Sequence, residues 1–287
     1  MHIPVLVNEV VEFLNAVKGG VFLDGTVGLG GHSAAVLAAA PNNHVFGLDK
    51  DRESLEIAKK RLEEFPGRFS LFHADFKQLE SLPIDIHKID GFLFDLGVSS
   101  FQLENPDRGF SYSRDAPLDM RMDKSKKLTA YDVINDYSYD ELADILKKYG
   151  EIENPARITE QIVYHRKQKK IASTNELKTI IRRVSPQRKT MDPLARVFQA
   201  VRIEVNQELT GLETFLLRLI GSVTPGSRIV IISFHSLEDR IAKSVFKQAK
   251  QDGLIDILTK KPLTAKNDEL QMNVRARSAK LRACEKV

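Results

Sequence analysis

At 287 residues, 42% hydrophobic and 29% charged, the chain has room for one large domain or two small ones and the composition of an ordinary globular protein. Its single cysteine, Cys284, excludes an internal disulfide and a cysteine-based zinc site, and points to a reducing compartment. No apolar run approaches the roughly 20 residues that span a bilayer, and no basic cluster precedes the apolar residues of Met1 to Val11; a cytoplasmic protein without a membrane segment is expected. The net charge of +4 is unevenly spread. Between Lys147 and Glu204 there are 14 Lys and Arg against 6 Asp and Glu, while the remainder is net acidic. Such a basic middle suits a partner carrying phosphates, although a lysine-rich solvated surface has the same composition.

In chain order, Val21 to Asp24 is a short apolar strand ending in an acid, followed by a Gly-rich turn and a helical pattern from Ser33 to Ala40. His44 to Asp49 reads as a second strand, and Arg52 to Phe65 as a helix with Leu55, Ala58 and Leu62 on one face. Phe69 to Phe72 is a third strand candidate. Ile89 to Leu96 is a fourth, apolar enough for burial on both faces. This alternation predicts a parallel, doubly wound α/β sheet. Leu103 to Asp123 then reads as irregular, and helical periodicity fills Thr129 to Val184, with Ser138 and Thr174 as expected N-caps. One long helical stretch, Asp192 to Val223, leads back to a strand at Arg228 to Ser233. A helix over Leu237 to Gln251 follows, and Ile255 to Thr259 with Ala279 to Arg282 is expected to close the sheet as an antiparallel pair.

The turn from Asp24 to Ser33 is the most informative segment. Glycines there let the backbone bend sharply and approach a ligand, beside the free N–H groups of a helix N-terminus. A P-loop would need lysine where Gly31 stands. The dinucleotide fingerprint begins at Gly28-Leu29-Gly30, but its third glycine position is Ser33. An acid ending the strand, Asp24, is awkward for a pyrophosphate and suits the cationic amino-acid part of S-adenosylmethionine. Asp49 ends the next strand about 20 residues on, where it could hold ribose hydroxyls, a feature that NAD proteins share. After the third strand, Phe76 could lie against adenine and Asp75 could accept from its amino group; a core Phe76 and a capping Asp75 are the plainer alternative.

The fourth strand ends in Asp95-Leu-Gly-Val-Ser-Ser-Phe-Gln-Leu103. An exocyclic amine conjugated to a base is a poor nucleophile, and a carboxylate accepting from its N–H would raise its reactivity and take the proton. Asp95 is the best placed carboxylate for that task.

Several blocks together resemble the RsmH (MraW) family: Asp24-Gly-Thr-Val-Gly-Leu-Gly-Gly-His32, the Asp95 to Leu103 segment, Arg108-Gly-Phe-Ser111 with Asp115-Ala-Pro-Leu-Asp-Met-Arg-Met-Asp123, Phe198-Gln-Ala-Val-Arg-Ile203, Ile232-Ser-Phe-His-Ser-Leu-Glu-Asp-Arg240 and Arg277-Ser-Ala-Lys-Leu-Arg282. They span nearly the whole chain in order. The resemblance implies methyl transfer from S-adenosylmethionine to N4 of a cytidine in small-subunit ribosomal RNA near the decoding site. It implies a Rossmann-like class I methyltransferase domain, 1–103 and 206–287, split by an all-helical insertion at 104–205 that recognises RNA. It implies cofactor contacts from Gly30, Gly31, His32, Asp49, Phe76, Asp95 and Gln102, which join Asp24 and Gly28 from the reading of the turn. The partner is then the RNA or the assembled small subunit. A non-catalytic assembly factor that senses S-adenosylmethionine would share most of these residues; a nicotinamide-dependent dehydrogenase would need glycine at Ser33.

The chain has no Pro-Pro dipeptide, so the Asp/Asn-Pro-Pro-aromatic motif of many amino-methyltransferases is missing. Phe101, Phe110 and Phe234 are the aromatics left to stack on a base, each better suited to packing. Ser233-Phe-His-Ser236 lacks the glycines of a nucleophile elbow; Ser236 with Asp239 is expected to form a capping box. Asp115, Asp119 and Asp123, interleaved with Arg114 and Arg121, are expected to form a salt-linked loop without a required metal. Arg166, Lys167, Lys169, Lys170, Arg182, Arg183, Arg188 and Lys189 form the expected phosphate-binding face.

Overall fold

The computed structural model describes residues 4–185 and 192–287. The chain forms two compact units, 1–97 with 209–287, and 98–208. The first begins with α1 (Val7–Phe13), β1 (Val21–Asp24), α2 (Gly31–Ala39), β2 (His44–Asp49), α3 (Arg52–Leu62), β3 (Phe69–His73) and β4 (Gly91–Asp95). The second carries α4 (Ser100–Glu104), α5 (Ala130–Asp136), α6 (Tyr139–Lys148), α7 (Ala156–Gln168), α8 (Thr174–Val184) and α9 (Pro193–Asn206). The chain then completes the first unit with α10 (Leu212–Ser222), β5 (Arg228–Ser233), α11 (Ser236–Gln251), β6 (Ile255–Ile257), α12 (Asn267–Met272) and β7 (Lys280–Lys286).

The seven strands form one sheet in the order β3-β2-β1-β4-β5-β7-β6. β1 to β5 are parallel, and β7 runs antiparallel to both β5 and β6. This is the Rossmann-like α/β sheet expected from the sequence, closed by the expected antiparallel pair. Central strands are apolar on both faces because helices cover both. Phe92 and Phe94 of β4 pack into the cluster of Phe215, Leu219 and Phe246, while Leu93 packs on the other side with Val36, Leu37 and Val230. Strand order reverses between β1 and β4. Their carboxyl ends therefore splay apart into the crevice where such sheets bind ligands.

In the second unit no strand occurs among the described residues. Its core is built by amphipathic helices such as α8, which buries Leu177, Ile180 and Ile181 at helical spacing. The sequence reading put the junctions near 103/104 and 205/206. The compact units meet at 97/98 and 208/209, since Val98 and Leu103 pack on the helical core.

Several expected details are corrected. Ser173, not Thr174, caps α8, because its hydroxyl is three residues from Glu176 and both halves of the capping box form. Ser138 caps α6 as expected. The capping box of α11 uses His235 and Glu238 rather than Ser236 and Asp239; Asp239 instead accepts from Arg282 Nε at 2.7 Å. The stretch from Asp192 to Val223 is two helices. Asn206 turns its amide to the carbonyls of Met120 and Arg202, and Gln207 takes a left-handed φ of 48° that ends α9. α1 carries no strong periodic signal and was not anticipated.

Candidate active site

Asp24 ends β1 nearly fully buried. Its carboxylate accepts from Ser33 Oγ at 2.6 Å and from the Thr26 N–H at 3.1 Å. Burial pushes its carboxyl up to about 6 against those two hydrogen bonds, with a further upward push from Asp49. Asp49, at the end of β2, accepts from the N–H groups of Gly28 at 2.7 Å and Asp51 at 2.8 Å. Burial likewise raises it to about 6. Ser33 therefore stands at the third fingerprint position for a reason: it holds Asp24, which a glycine could not do.

The turn itself is tight. Gly30 is the N-cap of α2 with φ 77°, a left-handed conformation that disfavours any residue with a Cβ. A Cβ on Gly25 would lie 2.6 Å from the Phe94 ring and 3.1 Å from Phe76 Cβ. Gly31 is the first residue of α2. Gly28, Gly30 and Gly31 thus fall together on one backbone bend between the carboxylates of Asp24 and Asp49.

Asp95 ends β4, and its N–H donates to Thr26 Oγ1 at 2.6 Å, which ties the two strand ends together. Its Oδ2 lies 3.6 Å from His32 Nδ1. Its Oδ1 is buried and has no hydrogen-bond partner among the described residues. Burial, then Asp24 and then Glu238, hold its carboxyl well above the ordinary range. The site is therefore a cluster of three carboxylates whose ionised forms desolvation disfavours, with Lys50 acting as a cation on Asp49.

The other assigned residues differ in setting. His32 is buried, with Nε2 2.8 Å from the Val5 carbonyl oxygen. Phe76 is 6% exposed and packs against Phe94 and Phe215, with ring centroids 5.1 Å from each. Asp75 caps the turn through the Lys77 N–H and lies 3.4 Å from Lys50 Nζ. Gln102 belongs to the helical unit, where its side chain accepts from the Ser99 N–H in the capping box of α4. Phe110 is core of that unit; Phe101 and Phe234 are half-buried. Thr26, Ser33 and Glu238 were missed as site residues. Only Ser33 left a signal, by standing where the dinucleotide motif needs glycine.

The acidic loop is salt-linked at Asp119, which accepts from Arg121 Nε at 2.9 Å and Nη2 at 2.7 Å. Asp115 and Asp123 accept from main-chain N–H groups, including those of Ala116 and Ser125. Much of the basic face is internally engaged. Arg182 pairs with Asp192, Lys169 with Glu176 and Lys170 with Asp136, and Arg166 donates to the Ile134 and Tyr137 carbonyls. Lys167 and Arg183 are exposed. Arg188 and Lys189 lie outside the described residues.

A family model described as the MraW methylase family matches residues 1–287. A protein of Sulfurihydrogenibium azorense named ribosomal RNA small subunit methyltransferase H is 47% identical over all of this chain and 99% of its own length. Proteins of the same name from another Sulfurihydrogenibium species and from Persephonella marina are 46% and 45% identical, each over 100% of this chain and 99% of theirs.

Proposed function

Because the chain belongs to the MraW methylase family, and is an S-adenosylmethionine-dependent ribosomal RNA methyltransferase, we propose that its target is the exocyclic N4 amine of a cytidine in small-subunit RNA, near the decoding site. The observation that carries this reading is the partly exposed Asp95 carboxyl at the end of β4, whose Oδ1 has no hydrogen-bond partner among the described residues. It is an acceptor waiting for a donor, as an amine about to lose a proton requires.

The donor set fits the cofactor. Desolvation raises all three carboxyls, and S-adenosylmethionine brings an ammonium and a sulfonium that would favour their ionised forms. When bound, it supplies an electrophilic methyl group. Asp24 holds the amino-acid end, Asp49 the ribose, and the bend at Gly28, Gly30 and Gly31 admits the ligand close to backbone. Phe76 and Gln102 enter on the motif match. The Asp95 carboxyl accepts an N–H of the target amine, orients its lone pair and takes the proton. The helical unit supplies the RNA grip, and the enzyme works in the cytoplasm on RNA or on the assembled subunit.

The direct test incubates the protein with methyl-labelled S-adenosylmethionine and small subunits from cells lacking this activity, followed by nucleoside analysis. Label in N4-methylcytidine is the expected result, and label in any other nucleoside overturns the N4 assignment.

The carboxylates also fix a pH dependence. Asp24 and Asp49 have folded-state values of about 6, above the ordinary 3.8, so the ligand-free protein holds protons there that the unfolded chain has lost. A bound cation favours their ionised forms. Cofactor binding should release protons between about pH 4 and 7, with affinity rising through that window and flat above it. Calorimetry in two buffers of different ionisation enthalpy reads the release directly; no buffer dependence at pH 5.5 would contradict it.

Reversing two exposed cations of this face, K167E and R183E together, should weaken RNA association about tenfold or more and lower the slope of log affinity against log salt by about 1–2. An unchanged slope would place the RNA grip elsewhere.

A further inference from the structure

His32 Nε2 lies 2.8 Å from the Val5 carbonyl oxygen. A carbonyl oxygen only accepts, so Nε2 carries the hydrogen. This fixes the tautomer: Nδ1 is a lone pair when the ring is neutral and an N–H when it is charged. Nδ1 faces Asp95 Oδ2 at 3.6 Å. A lone pair set against an ionised carboxylate repels it. The contact becomes attractive only when a proton sits on Oδ2 or on Nδ1.

We propose that His32 and Asp95 hold one proton between them, and that His32 acts as the positioning residue that lets the Asp95 carboxyl receive the proton of the target amine. This deepens the function proposed above and rests on it. His32 then belongs to proton handling rather than to cofactor recognition alone.

The surroundings favour keeping that proton. Asp24 at the end of β1 and Glu238 of α11 both act on Asp95, and Asp49 of β2 acts through Asp24. Glu269 of α12 accepts from the N–H of Leu6, next to Val5, at 2.7 Å. Among the described residues, Arg61 of α3 brings a cation to that side, its Nη1 3.4 Å from where a Cβ of Gly31 would stand, and the titratable His235 lies with Nε2 3.3 Å from Glu238 Oε1. Burial with Asp24 and Glu238 raises the Asp95 carboxyl, which agrees with a protonated pair.

A carboxyl already protonated is a poor base unless its own proton can leave. The Asp95 carboxyl receives the N–H proton as the amine nitrogen bonds the methyl carbon and the C–S bond breaks with its electron pair left on sulfur. His32 Nδ1 receives the proton that Oδ2 carried. The pair ends one positive charge higher, balancing the charge lost at sulfur, and the imidazolium later yields its Nδ1 proton to water.

Two measurements test this. The first uses ligand-free protein labelled with 15N-histidine. The expected spectrum shows His32 with hydrogen on Nε2, and a Nδ1 titration that moves when Asp95→Asn is introduced. Hydrogen on Nδ1 in the neutral ring, or an identical titration in both proteins, overturns the shared proton. The second is the pH profile of kcat in His32→Gln, whose amide can still donate to Val5. The pair fails as a base only on binding a second proton, whereas Asp95 alone fails on binding its first. The acidic limb of kcat should therefore move about one pH unit or more upward, with kcat lowered about 10- to 100-fold and cofactor affinity within about threefold. A uniform fall in kcat with the limb unmoved overturns the relay, as does weakened cofactor binding with kcat intact. Wild-type turnover in Asp95→Asn would sink Asp95 as acceptor, and the relay with it. The spectrum of the wild-type imidazole separates that failure from failure of the shared proton.

Discussion

Replacing Asp95 by asparagine is expected to lower the methyl-transfer rate by about 10²- to 10⁴-fold while changing S-adenosylmethionine affinity less than about tenfold. The amide preserves size and can still accept a hydrogen bond, but it cannot take a proton. Its effect on stability has the opposite sign. The Asp95 carboxyl is held well above its ordinary range by burial, Asp24 and Glu238, so ionising it costs the folded state. A group raised in this way contributes stability below its unfolded value of 3.8, and that contribution is lost as pH rises through its folded value. Asparagine cannot ionise. The variant should therefore be at least as stable as wild type at neutral pH, with a flatter dependence on pH above the ordinary carboxylate range. Turnover, calorimetric affinity and urea midpoints at pH 5 and 8 check the three parts. A variant that loses affinity and rate together, or that unfolds more easily at pH 8, would make Asp95 a binding or structural group.

The second large effect lies in the helical unit. Arg108→Ala is expected to destabilise the protein by about 4 kcal/mol and to lower the urea midpoint of the full chain by about 1–3 M. Among the described residues, Arg108 is the largest fully buried side chain. Its Nη2 donates to the carbonyls of Arg121 and Met122, each at 2.9 Å, and its own carbonyl accepts from the Met120 N–H at 2.9 Å. The guanidinium also lies 6.0 Å from the centre of the Phe110 ring. One side chain thus ties together two passes of a segment with little regular structure of its own. Truncation leaves two buried carbonyls without donors and a cavity of several methylene groups. Arg108→Lys should recover only part of the loss, because the lysine chain ends one bond short of the position of Nη2, which alone donates to both carbonyls. A loss below about 1 kcal/mol would mean the segment is held by its apolar residues, Phe110, Leu118, Met120 and Met122.

Much of this molecule is written locally. The four strands before the helical unit, the glycine bend, and the carboxylates closing β1, β2 and β4 are legible because short-range rules produce them: apolar runs of strand length, glycine where the backbone turns, an acid where a strand meets solvent or ligand. The amphipathic helices of the second unit and the cap at Ser138 are legible for the same reason. What failed locally was register. His235 and not Ser236 caps α11, and Gln207 breaks a helical pattern that reads as continuous, because a side chain from α9 is drawn to the carbonyl of Met120, 86 residues away.

The site was only half legible for a related reason. Sequence could name Asp24, Asp49 and Asp95 as strand ends, but not that β4 lies beside β1, and that adjacency brings Thr26 onto the Asp95 N–H across 69 positions. It could name His32 as a member of the turn, but not that the Val5 carbonyl would fix its tautomer and aim Nδ1 at a carboxylate. Phe76 reads more plainly as a core residue than as a platform for adenine, and burial against Phe94 and Phe215 is what the structure supplies. Which residue types occupy each element is determined by the sequence alone, since propensity and periodicity act within a few residues. Which carboxylate loses its water, and which imidazole faces it, is decided by the crossover order of the sheet, since desolvation and charge coupling depend on distances that only the packed chain creates.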